Sequence, residues 1–225
     1  MLTLALDTST VPASVALGRD GIPIVVRSLE ATATRSETVL PAIDEILTEV
    51  GETVGIVRAV VVGSGPGSFT GVRIGASLAK GLCFALDAPL YAYSSLAATA
   101  VESGLEGHVC VLQDARGDRV YAAAYEIGKG GLQEVMPPSA DSVSAIVGEV
   151  AGGPSAWIFV GTGSQAHRSF LEQEGGSVES GVASAPSARA LLSLFAWNAD
   201  GGLVDNVRSW EPRYVRLPQA ESEAR

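Results

Sequence analysis

Basic residues are few in this sequence. Fifteen Lys and Arg stand against 25 Asp and Glu, the formal net charge is −10, and no run of Lys or Arg occurs. A chain this acidic repels phosphate backbones, which argues against independent binding to nucleic acid or to an anionic membrane. The only two cysteines, Cys83 and Cys110, fall inside a helical pattern and a strand pattern. That excludes a disulfide framework and predicts buried, reduced thiols. The two histidines, His108 and His167, are too far apart in sequence to form the His-x-x-x-His pair of a helix-borne metal site. No apolar run approaches the ~20 residues of a membrane span, and the chain opens directly into a strand-like run without a basic leader. The expectation is a cytoplasmic, soluble protein.

What the chain does have is apolar content. Hydrophobic residues make up 47% of 225, enough for one large core or two smaller ones. The most informative stretch runs from Val57 to Asp87. A short β-branched run, Val57 to Val62, reads as a buried strand. It is followed by Gly63-Ser64-Gly65-Pro66-Gly67-Ser68-Phe69-Thr70-Gly71, in which only Phe69 is large, so the backbone itself must matter there. A P-loop is excluded, because Gly71 is followed by Val72 and Arg73 where Lys and Ser or Thr are required. Two readings of the loop stay open: its N–H groups hold an anion, or its glycines let strand, loop and helix pack closely.

The helix that follows, Thr70 to Leu86, repeats Ile74, Leu78 and Leu82 every four positions, with Val72, Ala76, Ala79, Cys83 and Leu86 in an adjoining stripe. Apolar side chains therefore cover most of its circumference, and such a helix is buried on more than one side. It is either the centre of one core or a helix shared between its own sheet and another subunit.

The rest of the chain states one pattern twice. Leu2 to Leu6 ends at Asp7, Ser14 to Leu17 returns, and Ile22 to Leu29 follows the Asp20-Gly21 turn, which predicts three short strands. A helix is predicted from Thr34 to Val50, with Thr34 and Glu37 in capping-box spacing, Pro41 inside it, and Val39, Leu40, Ile43, Ile46, Leu47 and Val50 on its apolar face. The strand, loop and helix above come next, and a helix from Ser94 to about Glu102 closes the unit. About a hundred residues on, Val109 to Leu112 leads into Asp114 and Val120 to Ile127 returns. A weaker run from Leu132, a helix over Val143 to Val150, the strand Trp157 to Val160 and the turn Gly161-Thr162-Gly163 complete the repeat. The predicted fold is α/β, two βββαβα halves over 1–104 and 105–218. Residues 174–186 read as a surface connection, a last helix over 187–200 packs back on the first half, and 219–225 form a disordered tail.

This duplication, with each first strand ending in an acidic turn, resembles the actin/hexokinase-like ATPase architecture. Leu6 to Thr10 with Ser14 to Leu17, Gly65 to Gly75, Asp114-Ala115-Arg116 with Val120-Tyr121, Val160 to Gly163 and Glu211 to Arg216 together resemble the TsaB family over nearly the whole chain. One departure is Arg35, where many relatives carry histidine. The resemblance implies a non-catalytic subunit that binds and activates a TsaD-type catalytic subunit for threonylcarbamoylation of adenosine beside the tRNA anticodon. A TsaE-type ATPase joins them, and tRNA is met only through the complex. The resemblance implies no catalytic residue, no metal and no cofactor required by this chain, and leaves ATP or ADP at the complex interface open. Its implied partner surface holds Thr38, Ile43, Thr70, Arg73, Ile74, Ser77, Leu78 and Gly81, with Gly65, Gly67, Ser68 and Gly71 as a weaker anion or nucleotide loop. Without the partner, the same surface predicts a homodimer. The rival readings are a small-molecule kinase of the same fold, using Asp7 and the loop, and a metallopeptidase.

Overall fold

The computed structural model describes residues 1–29, 35–150 and 152–215. The first unit runs β1 (Leu2–Asp7), β2 (Ala13–Arg19), β3 (Ile22–Leu29), α1 (Arg35–Glu49), β4 (Ala59–Gly63), α2 (Phe69–Leu86), β5 (Leu90–Tyr93) and α3 (Ser95–Glu102). The second runs β6 (Gly107–Asp114), β7 (Arg119–Gly128), β8 (Gly131–Ser142), α4 (Val143–Glu149), β9 (Ile158–Val160), α5 (Thr162–Ala166), α6 (Arg168–Gln173) and β10 (Ser177–Val178), followed by α7 (Ala188–Trp197) and α8 (Ala199–Gly202).

The strand orders are β3-β2-β1-β4-β5 and β8-β7-β6-β9-β10. Each unit pairs its first two strands antiparallel and its first and fourth parallel. The duplication read from the sequence is therefore a duplication of topology. The sequence pattern misses the fifth strand of each sheet. Leu90–Tyr93 has only four residues behind Pro89, and Ser177–Val178 has two, inside the stretch expected to be a surface connection. Both are parallel edge strands, held by neighbours rather than by their own periodicity.

Side-chain alternation divides the molecule into layers. On β1, Leu2, Leu4 and Leu6 face α1 and α2, and Val15, Leu17, Val60 and Val62 extend that core. On the opposite face, Ala5, Ala16 and Val61 meet α3 and α7. Val109, Val111, Ala123 and Tyr125 of the second sheet face the same two helices. Cys110, Leu112, Ala122 and Phe159 point away, toward Val143, Ile146 and Leu171 of α4 and α6. Two sheets thus enclose α3 and α7, and each sheet carries its own helices outside. Small residues make this close approach feasible, since Ala5, Ala16, Ala97, Ala100 and Ala123 line the shared layer.

Polar contacts fix the N-terminus of α7 in that layer. The Ser187 side chain accepts from the Ala190 N–H, and its hydroxyl donates to Glu102. Arg189 pairs with the same carboxylate at 2.6 Å, and the Ala188 N–H donates to Ser14 Oγ at 2.9 Å.

Helix α1 begins by Arg35 and contains Pro41. The capping-box threonine, Thr34, and the tail over 219–225 lie outside the described residues. Helix α2 has 18 residues with a mean hydropathy of 1.2, so by length and composition it is long and apolar enough to cross a membrane. The sequence reading, which counted only unbroken apolar runs, did not register this. In the fold its Val72, Gly75, Ala76, Ala79 and Cys83 are buried.

Both cysteines are free and buried. Burial pushes the Cys83 thiol up to about 11 and Cys110 further in the same direction. Because the thiolate is the reactive form, about 0.1% or less of Cys83 is ionised at pH 8. Neither thiol should react with a colorimetric disulfide reagent in the native protein at that pH, whereas both should react in urea.

Candidate functional site

Strand β4 delivers the chain to the glycine loop, and the loop closes on β1. Asp7 is 1% exposed. Its Oδ1 accepts the Ser9 N–H at 2.8 Å and the Ser9 hydroxyl at 2.6 Å, while Oδ2 accepts the Ser95 hydroxyl at 2.8 Å. A methyl group on Gly63 would overlap Oδ2. The carboxylate thus joins β1, β4 and α3 at one buried point.

Four of the loop's N–H groups bond within the fold itself. Ser64 donates to Tyr93 O, Gly65 to Ser95 Oγ, and Ser68 to Ser9 O. Ser68 caps α2 by accepting from the Gly71 N–H at 3.3 Å, and the Gly71 carbonyl accepts the Thr8 hydroxyl at 2.6 Å. Gly65 has φ +84, a left-handed conformation suited to glycine; Gly65 and Gly71 are buried, Gly67 is half-buried and Ser68 is exposed. Gly67 adds a close approach, since a Cβ there would meet the Ser9 carbonyl.

In the second unit the matching aspartate differs. Asp114 is exposed, and its Oδ1 accepts the Arg116 N–H at 2.8 Å within its own turn. The adjacent Gln113 is buried, donates to Thr99 Oγ1 and to Ser184 O, and accepts from the Thr162 hydroxyl at 2.7 Å. His108 stacks on Trp157 at 4.9 Å. Among the described residues, no group of three His, Cys, Asp or Glu side chains is placed to hold a metal ion.

The surface that stands out is the outer face of α1 and α2. A groove of about 560 Å³ lies between them, lined by Val39, Leu40, Phe69, Thr70, Arg73, Ile74, Ser77 and Leu78. Of the residues expected at a partner surface, Thr70, Arg73, Ile74, Ser77 and Leu78 meet in this groove. Gly81 is exposed one turn further along α2, and Thr38 is half-buried on α1. Ile43 is a correction. It is 3% exposed, because it follows Val39 by one turn and shares the inward stripe with Ala42, Ile46 and Leu47.

Two other large apolar residues of these helices are exposed. Leu40, read from sequence as part of the buried stripe, is 51% exposed, and Phe84 is 59% exposed. Phe84 was legible, since Ile74, Ser77, Gly81 and Phe84 fall on one face at helical spacing.

A C-terminal strap, residues 203–215, borders this face. Its Val204 N–H donates to Leu90 O, and Val204, Val207 and Trp210 pack onto the first core. The strap follows α2 back to the glycine loop, where the Arg213 N–H donates to Ser64 O at 2.9 Å. The Arg73 guanidinium lies 3.8 Å above the Phe69 ring, and its Nε donates to Tyr214 Oη at 3.3 Å.

Comparison with known proteins gives a consistent result. Residues 29–222 match the family model described as TsaD, tRNA N6-adenosine threonylcarbamoyltransferase. The Escherichia coli tRNA threonylcarbamoyladenosine biosynthesis protein TsaB is 33% identical, over 96% of this chain and 95% of its own length. The Bacillus subtilis protein of the same name is 29% identical, over 99% and 97%. Among solved structures, YeaZ from Pseudomonas aeruginosa superposes with a TM-score of 0.77 at 32% identity, over 95% of this chain and 99% of that one. A second Pseudomonas aeruginosa structure, described as similar to peptidase YeaZ, reaches 0.80 at 32% identity, over 96% and 99%. An activator of 2-hydroxyisocaproyl-CoA dehydratase from Clostridium difficile, solved with ADPNP, shares the fold at a TM-score of 0.53 and 11% identity, over 88% of this chain and 95% of that one.

The buried geometry around Asp7 makes a stability prediction. Asp7→Ala strands three buried donors and should cost about 2–3 kcal/mol in urea unfolding, and Ser95→Ala, which removes one of them, about 1 kcal/mol. Gly63→Ala should cost about 1–3 kcal/mol by overpacking the same point.

Proposed function

The chain belongs to the TsaB family of tRNA threonylcarbamoyladenosine biosynthesis proteins, and from that premise we propose that it is the non-catalytic partner of a TsaD-type catalytic subunit. Its work is to hold that subunit in its active form through the outer face of α1 and α2. The observation that carries this reading is the apolar groove between the two helices, continued by Leu40 and Phe84. Isolated apolar residues are ordinary on a protein surface, but a groove floored by Val39, Ile74 and Leu78 and flanked by two half-exposed large side chains is a surface that lacks its cover. Fully burying an exposed side chain of this size gains about 1.5–3 kcal/mol, so Leu40 and Phe84, about half exposed, would each gain roughly half of that on being covered.

The buried state of Asp7 supports the absence of catalysis by this chain. A carboxylate that spends both oxygens on Ser9 and Ser95 is committed to the fold, unlike one that must orient a metal ion or a water molecule. The loop is committed in the same way, which disfavours the kinase reading. In this account the chain requires no cofactor, ATP or ADP binds where the subunits meet, and ATP hydrolysis belongs to a TsaE-type ATPase. The complex works on tRNA in the cytoplasm. Without the partner, two copies cover the same stripe by pairing with each other.

Mixing the chain with the TsaD-type subunit of the same organism, with and without ATP, should give a heterodimer by light scattering, and the isolated chain should not hydrolyse ATP. Phe84→Asp replaces a side chain that the fold leaves exposed, so it should leave the protein folded yet weaken the heterodimer at least about a hundredfold. Leu78→Asp should act in the same direction, with some loss of stability because Leu78 also packs on the first core. Unchanged assembly by a folded Phe84→Asp variant would place the partner elsewhere.

A further inference from the structure

The acidic chain carries one surface of the opposite sign. Among the described residues, ion pairs engage Arg19, Arg27, Arg168 and Arg189, and none engages Arg73, Lys80, Arg208 or Arg213. The fold brings these four cations together on α2 and the strap that borders it. Lys80 Nζ donates to the Arg208 carbonyl at 3.2 Å, and Arg73 bonds to Tyr214, next to Arg213. Arg73 and Lys80 stand two turns apart on one helix, about 10 Å along its axis. The acids of the strap are Asp205 and Glu211, so the strip keeps a positive excess in a chain of net charge −10.

Aromatic rings alternate with these cations. Tyr214 is 39% exposed, lies 5.5 Å from the Phe69 ring, and has the Arg73 guanidinium 5.7 Å from its own ring. Lys80 lies 5.9 Å from the Trp210 ring. Exposed cations interleaved with aromatic faces are the chemistry of a single-stranded nucleic acid surface, where phosphates meet the charges and a base stacks on a ring. Lys80, Arg208 and Arg213 do not line the apolar groove, so this strip flanks the partner surface and shares only Arg73 with it.

We infer that the strip formed by Arg73, Lys80, Arg208, Arg213 and Tyr214 contacts the tRNA substrate directly, through backbone phosphates and one unpaired base, once the catalytic subunit has brought that tRNA alongside. The inference rests on the partner-subunit reading above. The net charge of the free chain opposes RNA binding, so the contact operates in the assembled complex, where the strip has only to hold an RNA that is already docked.

The test uses the complex of the full chain with the TsaD-type subunit and a tRNA that reads codons beginning with A. Assembly is followed by light scattering, and tRNA affinity by fluorescence anisotropy over a range of salt concentrations. Arg208→Glu/Arg213→Glu should assemble normally and bind tRNA at least about tenfold more weakly, with the log–log salt slope reduced by about 2. Tyr214→Ala should weaken binding by about fivefold or more with little change in slope, and Tyr214→Phe should restore most of it. Arg119→Glu, a charge reversal on the second sheet, should leave both readouts unchanged. Unaltered tRNA affinity and slope in the double variant would overturn the inference. Loss of assembly by the double variant would also overturn it, by assigning the strip to the protein partner. Failure of the unaltered chain to assemble would be a separate result, removing the partner reading and this site with it.

Discussion

The buried carboxylate of Asp7 determines where α2 begins. It ends β1, takes hydrogen bonds from Ser9 and Ser95, and fills the space that a side chain on Gly63 would need. That contact sets the exit of β4, the exit sets the tight turn through Gly65 and Gly67, and Ser68 then caps the helix. The groove between α1 and α2 inherits its position from this sequence of constraints. An acidic residue at the end of the first strand is thus the anchor of the glycine turn and of the helix that follows it.

The two units use one topology for different ends. In the second, α4, α5 and α6 have between five and seven residues each, and the large side chains of the sheet are covered by Val143, Ile146 and Leu171. In the first, α1 has 15 residues and α2 has 18, at least twice the length of any helix between the strands of the second unit. The excess length appears as a two-helix face with Leu40 and Phe84 on its outside. The asymmetry between the two copies therefore coincides with where large apolar side chains stay exposed. The strap adds to the same side, so the features that look outward gather on the first unit.

Much of this was legible in the sequence, and the parts that were not share a cause. Strands with β-branched runs, such as Ala59–Gly63, and helices with unbroken periodicity announced themselves. Leu90–Tyr93 and Ser177–Val178 did not, because a short edge strand takes its conformation from the neighbour it pairs with. The helix faces were harder. Ile43 and Leu40 both belong to an apolar pattern on α1, and only the position of the sheet decides that one turns in and the other out. On α2 the spacing put Phe84 on one face with Ile74, Ser77 and Gly81, but a helix apolar around most of its circumference did not show that this face is the exposed one. The cation strip was invisible for another reason: Arg73 and Tyr214 are distant in sequence, and neighbours of that kind are made by folding alone.

Two late segments of the described chain, α7 and the strap, both close on the first unit. Ala188 bonds to Ser14 across 174 positions of sequence, and Arg213 bonds to Ser64. These contacts are of long sequence separation, since a sheet built from early residues is enclosed by later segments. During synthesis, the inner face of that sheet, with Ala5, Ala16 and Val61, stays uncovered until α7 emerges. A chain that stops short of α7 thus carries one open apolar face on that sheet, and its exposure to chaperones and proteases lasts until α7 has been made.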